Sequence, residues 1–147
     1  MFLNEVLYKS IKQQQGDEQL FSFIFHAIEL LDHQNGSPAN FHLVFMIRLS
    51  RYLGFYPDNY KPDGADFFDM KNGMFSRYKP ENWQYLSPPH TQNFYLLLQQ
   101  GFDGIENINL KNDERRYLLN KLLEYYAMHI DGFGNIKSHE VLEDVLG

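Results

Sequence analysis

The sequence predicts a mainly α-helical, metal-free domain with a small β-hairpin insert. Three observations carry that expectation. Apolar residues recur at i, i+3, i+4 and i+7 through most of the chain, which is the period of amphipathic helices. A stretch at about 55–90 breaks that period. It holds Pro57, Pro62, Pro80, Pro88 and Pro89, and it sets Asn72-Gly73 between two short apolar runs, a strong hairpin signal. Finally, none of the 147 residues is cysteine, so disulfides, thiolate zinc sites and cysteine nucleophiles are excluded.

Taken in order, Leu3, Val6, Leu7, Tyr8 and Ile11 place a first helix over about 1–14. The polar run from Lys12 to Asp17 ends it, and Asp17 can cap the next helix. That second helix carries Leu20, Phe21, Ile24, Phe25, Ile28 and Leu31 as a broad apolar stripe and ends near Asp32–Gly36. Ser37-Pro38 is a capping hydroxyl followed by a first-turn proline, a start signal for the third helix. Residues 41–53 are apolar almost all round, which marks the central helix of the core, and Gly54 supplies its stop. Asp66–Met70 and Met74–Ser76 flank Lys71-Asn72-Gly73 as the hairpin. Helix returns at about 91–101 with Phe94, Leu97 and Leu98 inward, and Gly101 and Gly104 close it. A long helix over 113–130 opens on acids, as the macrodipole favours, and carries Leu118, Leu119, Leu122, Leu123, Tyr126 and Ile130. A turn at Asp131–Asn135 leads to a last short helix capped by Ser138, with Val141, Leu142 and Val145.

The length suits a single domain spanning 1–147. Thirteen Phe and ten Tyr provide ample apolar surface to offset chain entropy, which argues against disorder. The formal charge of −6 has the wrong sign for a domain that binds nucleic acid or anionic membrane through its overall field. No apolar run approaches the ~20 residues of a membrane span. The first residues lack the pattern of a signal peptide and read as the interior of a helix, as in an internal piece of a longer protein. The absence of cysteine fits a reducing cytoplasm.

The sequence contains no Gly-rich phosphate loop, nucleophile elbow or calcium loop. His26, Glu29 and His33 share one helical face and could serve a metal-dependent enzyme. Polar residues along a helix edge are the stronger reading, because no zinc-type spacing supports a site. His129 lies on the stripe of the long helix, where a partly buried histidine bonded to a carbonyl is expected. Asp66 and Asp69 read as solvated turn acids. The chain is therefore expected to bind rather than to catalyse, with no cofactor.

Arg48 and Arg51 stand at i, i+3 on the most apolar helix. Arginine is almost never fully buried unless paired. Either each pairs with an internal acid such as Glu29 or sits at the core rim, or the two form the cationic rim of a pocket floored by Tyr52, Phe55 and Tyr56. Such a pocket suits an acidic-hydrophobic peptide or a terminal carboxylate. Two basic groups also stand out: Arg115, Arg116 and Lys121 on the long helix, and Lys71, Arg77 and Lys79 around the hairpin, interleaved with Phe75 and Tyr78. Mixtures of this kind can hold single strands by stacking, although an ordinary solvated surface fits the acidic balance better.

Residues from about 17 to 146 resemble the C-terminal part of the RecO family of bacterial recombination mediators, in its Bacteroides-group form. Asn40-Phe41-His42-Leu43 through Arg48-Leu49-Ser50-Arg51-Tyr52-Leu53-Gly54-Phe55-Tyr56-Pro57 looks like the family's central helix and the turn that ends it. Phe68–Phe75 looks like its hairpin. Leu122–Ile130 followed by Ile136-Lys137-Ser138 looks like its closing helices. Many members carry four zinc cysteines in the region corresponding to 57–80. This chain has none, so the resemblance implies no zinc here, with the hairpin held by Phe67, Phe68, Phe75, Tyr78 and Trp83. The family's N-terminal OB-fold is not within this chain.

The resemblance implies a role in DNA repair and recombination in the bacterial cytoplasm. The implied partners are RecR and the single-strand-binding protein, whose acidic C-terminal tail docks on the family's helical domain. It favours Arg48 and Arg51 as carboxylate-holding residues beside Tyr52, Phe55 and Tyr56. Direct single-strand binding through Arg77, Lys79, Arg115, Arg116 and Lys121 is the alternative.

Overall fold

A computed structural model describes residues 2–11, 17–32 and 39–133. Five helices and three short strands follow in the order α1 (Phe2–Ile11), α2 (Glu18–Asp32), α3 (Ala39–Leu53), β1 (Phe67–Asp69), β2 (Met74–Ser76), β3 (Tyr85–Leu86), α4 (His90–Gln100) and α5 (Asn112–His129), with a 3-10 turn at Ile105–Asn107 before α5. The Ser37-Pro38 start signal, His33 and the last short helix expected after Ser138 lie outside the described residues.

The α3 helix is the axis of the fold. Every side chain from Asn40 to Ile47 is buried, so two full turns need apolar cover on all sides. Packing against α1, α2, α4, α5 and the 3-10 turn supplies it. The helix stops where Gly54 takes φ 96° and its N–H donates to the Ser50 carbonyl at 3.0 Å. Asp17 caps α2 as its chemistry suggests: Oδ1 accepts the Leu20 N–H at 3.0 Å. The broad stripe expected on α2 splits, however. Leu20, Ile24 and Ala27 face α3 and are buried, whereas Phe21, Phe25 and Ile28 are exposed. A single neighbour covers only part of a helix's circumference, and α2 packs chiefly on α3.

Polar ties fix the long α5 helix against α3. The Tyr126 hydroxyl, fully buried, donates to the Met46 carbonyl at 2.5 Å. Asn40 donates to the Ile108 carbonyl at 2.9 Å and accepts from Arg115 Nε at 3.1 Å, so one amide joins three elements. At the start of α5, the Glu114 carboxylate accepts the Lys111 N–H at 3.0 Å and the Asn93 side-chain amide at 2.9 Å. These bonds hold its pKa below the usual carboxylate range.

The insert forms a three-stranded antiparallel sheet in the order β2-β1-β3. The third strand was not foreseen, because two residues carry no readable alternation. The hairpin lies where Asn-Gly places it, but Asp69 pairs with Met74 across four loop residues. The Asp69 carboxylate organises that loop, accepting the N–H groups of Lys71 and Asn72 and the Asn72 side chain. Gly73 takes φ 67°, and a β-carbon there would stand 3.0 Å from the Tyr125 hydroxyl. Phe68 and Phe75 pack on each other and on Phe94, with ring centroids 4.7–6.2 Å apart. Phe67 meets Tyr85. Tyr78 and Trp83, expected to help hold the hairpin, are instead exposed, because the β2–β3 connection that carries them runs through solvent. His129 Nε2 donates to the Met70 carbonyl at 3.0 Å, as expected of a partly buried histidine; a carbonyl only accepts, so Nε2 carries the proton.

Two measurements test this architecture. Tyr126→Phe should cost about 1 kcal/mol in urea unfolding with an unchanged m-value, the worth of one buried hydrogen bond; unaltered stability would remove that bond from the account. His42, buried at the start of α3, has its pKa lowered by burial from 6.5 to about 4. Between those values the unfolded chain takes up a proton that the folded chain refuses. Stability should therefore fall as pH drops from 6.5 to about 4, by up to about 3 kcal/mol from this group alone. His42→Gln should flatten that part of the profile, and an unchanged slope would contradict the assignment.

Candidate functional site

Arginine on an apolar helix must pair, reach solvent, or wait for a ligand, because a buried unpaired charge is costly. Arg48 is half-buried and Arg51, one turn on, is exposed. Among the described residues, neither has a carboxylate at ion-pair distance; the pairs found are Lys9–Glu5 and Lys121–Glu124. The Arg48 guanidinium lies against Gly101, the residue that ends α4 with φ 62°. A β-carbon at Gly101 would overlap Nη2. Glycine thus serves two needs there, a left-handed backbone and room for the cation.

An aromatic surface adjoins this cation. Tyr52, one turn beyond Arg48, stacks on Phe23 of α2 at 4.7 Å, and Phe23 in turn meets Phe45 and Phe102. Phe102 directly follows Gly101. Arg48, Tyr52, Phe23 and Phe102 therefore gather where α2, α3 and the end of α4 meet. Phe55 turns the other way: it stacks on His129 at 5.3 Å and sets its edge against Tyr126 and Tyr125. Its carbonyl accepts the Tyr125 hydroxyl at 2.6 Å, and burial pushes the ionisation of that phenol up. Tyr56 is half-buried against the core. Of the five residues singled out, Arg48, Arg51 and Tyr52 share the end of α3, while Phe55 is committed to α5.

The basic residues do not converge. The Arg115 guanidinium donates to Asn40 and Asn112. Lys121 pairs with Glu124 at 3.3 Å and lies over the Tyr117 ring. Arg116 is exposed and lines a shallow groove with Asn112, Asp113, Tyr117 and Asn120. Arg77 Nε donates to the Asp63 carbonyl at 2.8 Å, and Lys79 stands over the Tyr85 ring. Arg77 and Lys79 share the β2–β3 connection with the exposed Tyr78 and Trp83. The sequence marks Gly101 only as a helix stop and does not connect it, Phe23 or Phe102 with Arg48, since their proximity arises only when three helices meet. No local pattern announces it.

His26 and Glu29 lie exposed on α2. Among the described residues no three His, Cys, Asp or Glu side chains converge as a metal site, and no helix is long and apolar enough to cross a membrane. A void of about 10 Å³ between the sheet and α5, lined by Phe68, Phe94, Leu118 and Tyr125 among others, is too small for an organic ligand.

The family described as "Recombination protein O C terminal" matches residues 1–139. Proteins named DNA repair protein RecO are similar over nearly the whole chain. That of Azobacteroides pseudotrichonymphae is 36% identical over 145 residues, covering 99% of this chain and 60% of the relative. That of Bacteroides fragilis is 34% identical over 146 residues, with the same coverage. That of Flavobacterium psychrophilum is 37% identical over 145 residues, covering 99% of this chain and 59% of the relative. No solved structure matches. The chain spans about 60% of the length of these curated relatives. A helical body around α3, a hairpin insert that packs without cysteines, and a family match over residues 1–139 agree: this chain belongs to the RecO C-terminal family.

Proposed function

We propose that this chain serves DNA repair and recombination as a protein-docking domain, holding the acidic C-terminal tail of single-strand-binding protein and assisting RecR and recombinase loading. The observation that carries the reading is Arg48, a half-buried guanidinium beside aromatic rings with no carboxylate in ion-pair reach among the described residues. A peptide carboxylate would supply the missing partner through charge-assisted bonds. Arg51 adds a second cation at the exposed rim, where charge mainly sets encounter rate and salt dependence. Tyr52, with Phe23 and Phe102, offers the apolar side chains of the tail an aromatic wall. Phe55 and Tyr56 contribute by holding the end of α3 in place.

A second reading rests on a different observation. Tyr78 and Trp83 are 82% and 71% exposed on the eight-residue β2–β3 connection that also carries Arg77 and Lys79. Exposed rings beside cations suit single-stranded DNA, each stacked base contributing about 1–3 kcal/mol. Arg115, Arg116 and Lys121 support this reading less, since Arg115 and Lys121 are engaged within the fold.

Titration with a peptide matching the bacterial tail tests the first reading. Arg48→Ala with Arg51→Ala should weaken binding by at least about tenfold, and Gly101→Ala should weaken it too by displacing Arg48. Undiminished affinity in a folded double variant would sink the assignment. For the second reading, an oligothymidylate should bind more weakly as salt rises, and Tyr78→Ala with Trp83→Ala should abolish binding. No detectable binding at low salt would remove it.

A further inference from the structure

The α2 helix has an outward apolar ledge that the fold leaves uncovered. Phe21, Phe25 and Ile28 are 45%, 71% and 44% exposed. Their spacing of i, i+4 and i+7 puts them within an arc of about 60°. The ledge adjoins the face that carries Leu20 and Ile24 into the core. Glu18, at the start of α2, falls on its outer flank, and Asp32, at the end, continues the line of the ledge one turn beyond Ile28; both are exposed. The fifteen residues of α2 include three acids and no Lys or Arg. A contiguous apolar strip with a charged margin marks an interaction surface more often than chance exposure does.

We propose that the outer face of α2 docks a basic amphipathic helix of a protein partner, its apolar stripe on Phe21, Phe25 and Ile28 and its Lys or Arg residues against Glu18 and Asp32 at the two ends of the ledge. Helix-on-helix recognition reads anchors at this i, i+4, i+7 spacing. Charge selects among occupants. A second copy of the chain would bring acids against acids across a two-fold contact, and an acidic tail would be repelled. A basic partner gains on both counts. This partner is therefore opposite in charge to the one assigned to Arg48 and Arg51, and the two surfaces stand or fall separately.

The test uses the whole chain and a fluorescein-labelled synthetic peptide of about five helical turns, with leucines on one face and lysines along its edges. A matched peptide carries glutamates in place of the lysines. The lysine peptide should bind saturably and weaken as salt rises. Phe21→Ser with Phe25→Ser should reduce its affinity at least about tenfold, at unchanged helix content and melting temperature. Glu18→Gln with Asp32→Asn, which leaves the apolar surface intact, should weaken it less but remove most of the salt dependence. Arg48→Ala with Arg51→Ala should leave it unaltered. Equal binding of both peptides overturns the charge argument. Undiminished binding by the folded serine variant overturns the location. A concentration-dependent dimer that dissociates in the serine variant assigns the face to a second copy and overturns the proposal.

Discussion

The constraint on which the rest of this structure depends is the unbroken burial of α3 from Asn40 to Ile47. A helix with one apolar face can lie on a surface, but a helix apolar all round has to be enclosed. Enclosure explains why the elements before and after α3 both return to it. It also accounts for the aromatic packing around the axis: Phe41 stacks on Phe45 and meets Phe102, and Tyr126 meets Phe55 edge to face. Each buried backbone or side-chain polar group near this axis then needs a partner. Tyr126 and Asn40 provide two such links to α5 and its approach.

The insert depends on that core in turn. A sheet of strands two or three residues long is too small to be stable alone, and without cysteines it has neither a disulfide nor a thiolate metal site to hold it. It is held from below by Phe68 and Phe75 packed on Phe94, and from the side by α5, where Tyr125 and His129 reach the chain at Phe55 and Met70. Gly73 is needed where the hairpin loop passes the Tyr125 hydroxyl, because its backbone is left-handed and there is little room for a side chain. Rings and two side-chain hydrogen bonds thus hold the insert to the helical body.

The same packing that hides α3 leaves two surfaces with unmet chemistry, of opposite charge. Toward the end of α3 a half-buried guanidinium stands against Gly101 without a carboxylate partner among the described residues. Along α2 an apolar strip stands beside acids. Neither feature adds to the stability of the folded chain, since one leaves a charge partly desolvated and the other leaves rings in water. Each surface would be relieved by a ligand of the opposite charge, so one ligand could not serve both.

Much of this was legible in the residues alone. The order of helices followed from apolar spacing, the stops from Gly54 and Gly101, the cap from Asp17 and the hairpin from Asn72-Gly73, because each is a local property of the backbone within a few residues. The family resemblance was likewise visible in the run from Asn40 to Pro57. Three things were decided only by tertiary structure. Which half of the α2 stripe is covered depends on where α3 lies, so Phe21 and Phe25 look the same as Leu20 and Ile24 in sequence but meet water. Tyr52 and Phe55, three residues apart, turn to different neighbours, which divides what reads as one aromatic floor. The seat of Arg48 is made by Gly101 and Phe102, more than fifty positions away, and only the meeting of three helices brings them to it.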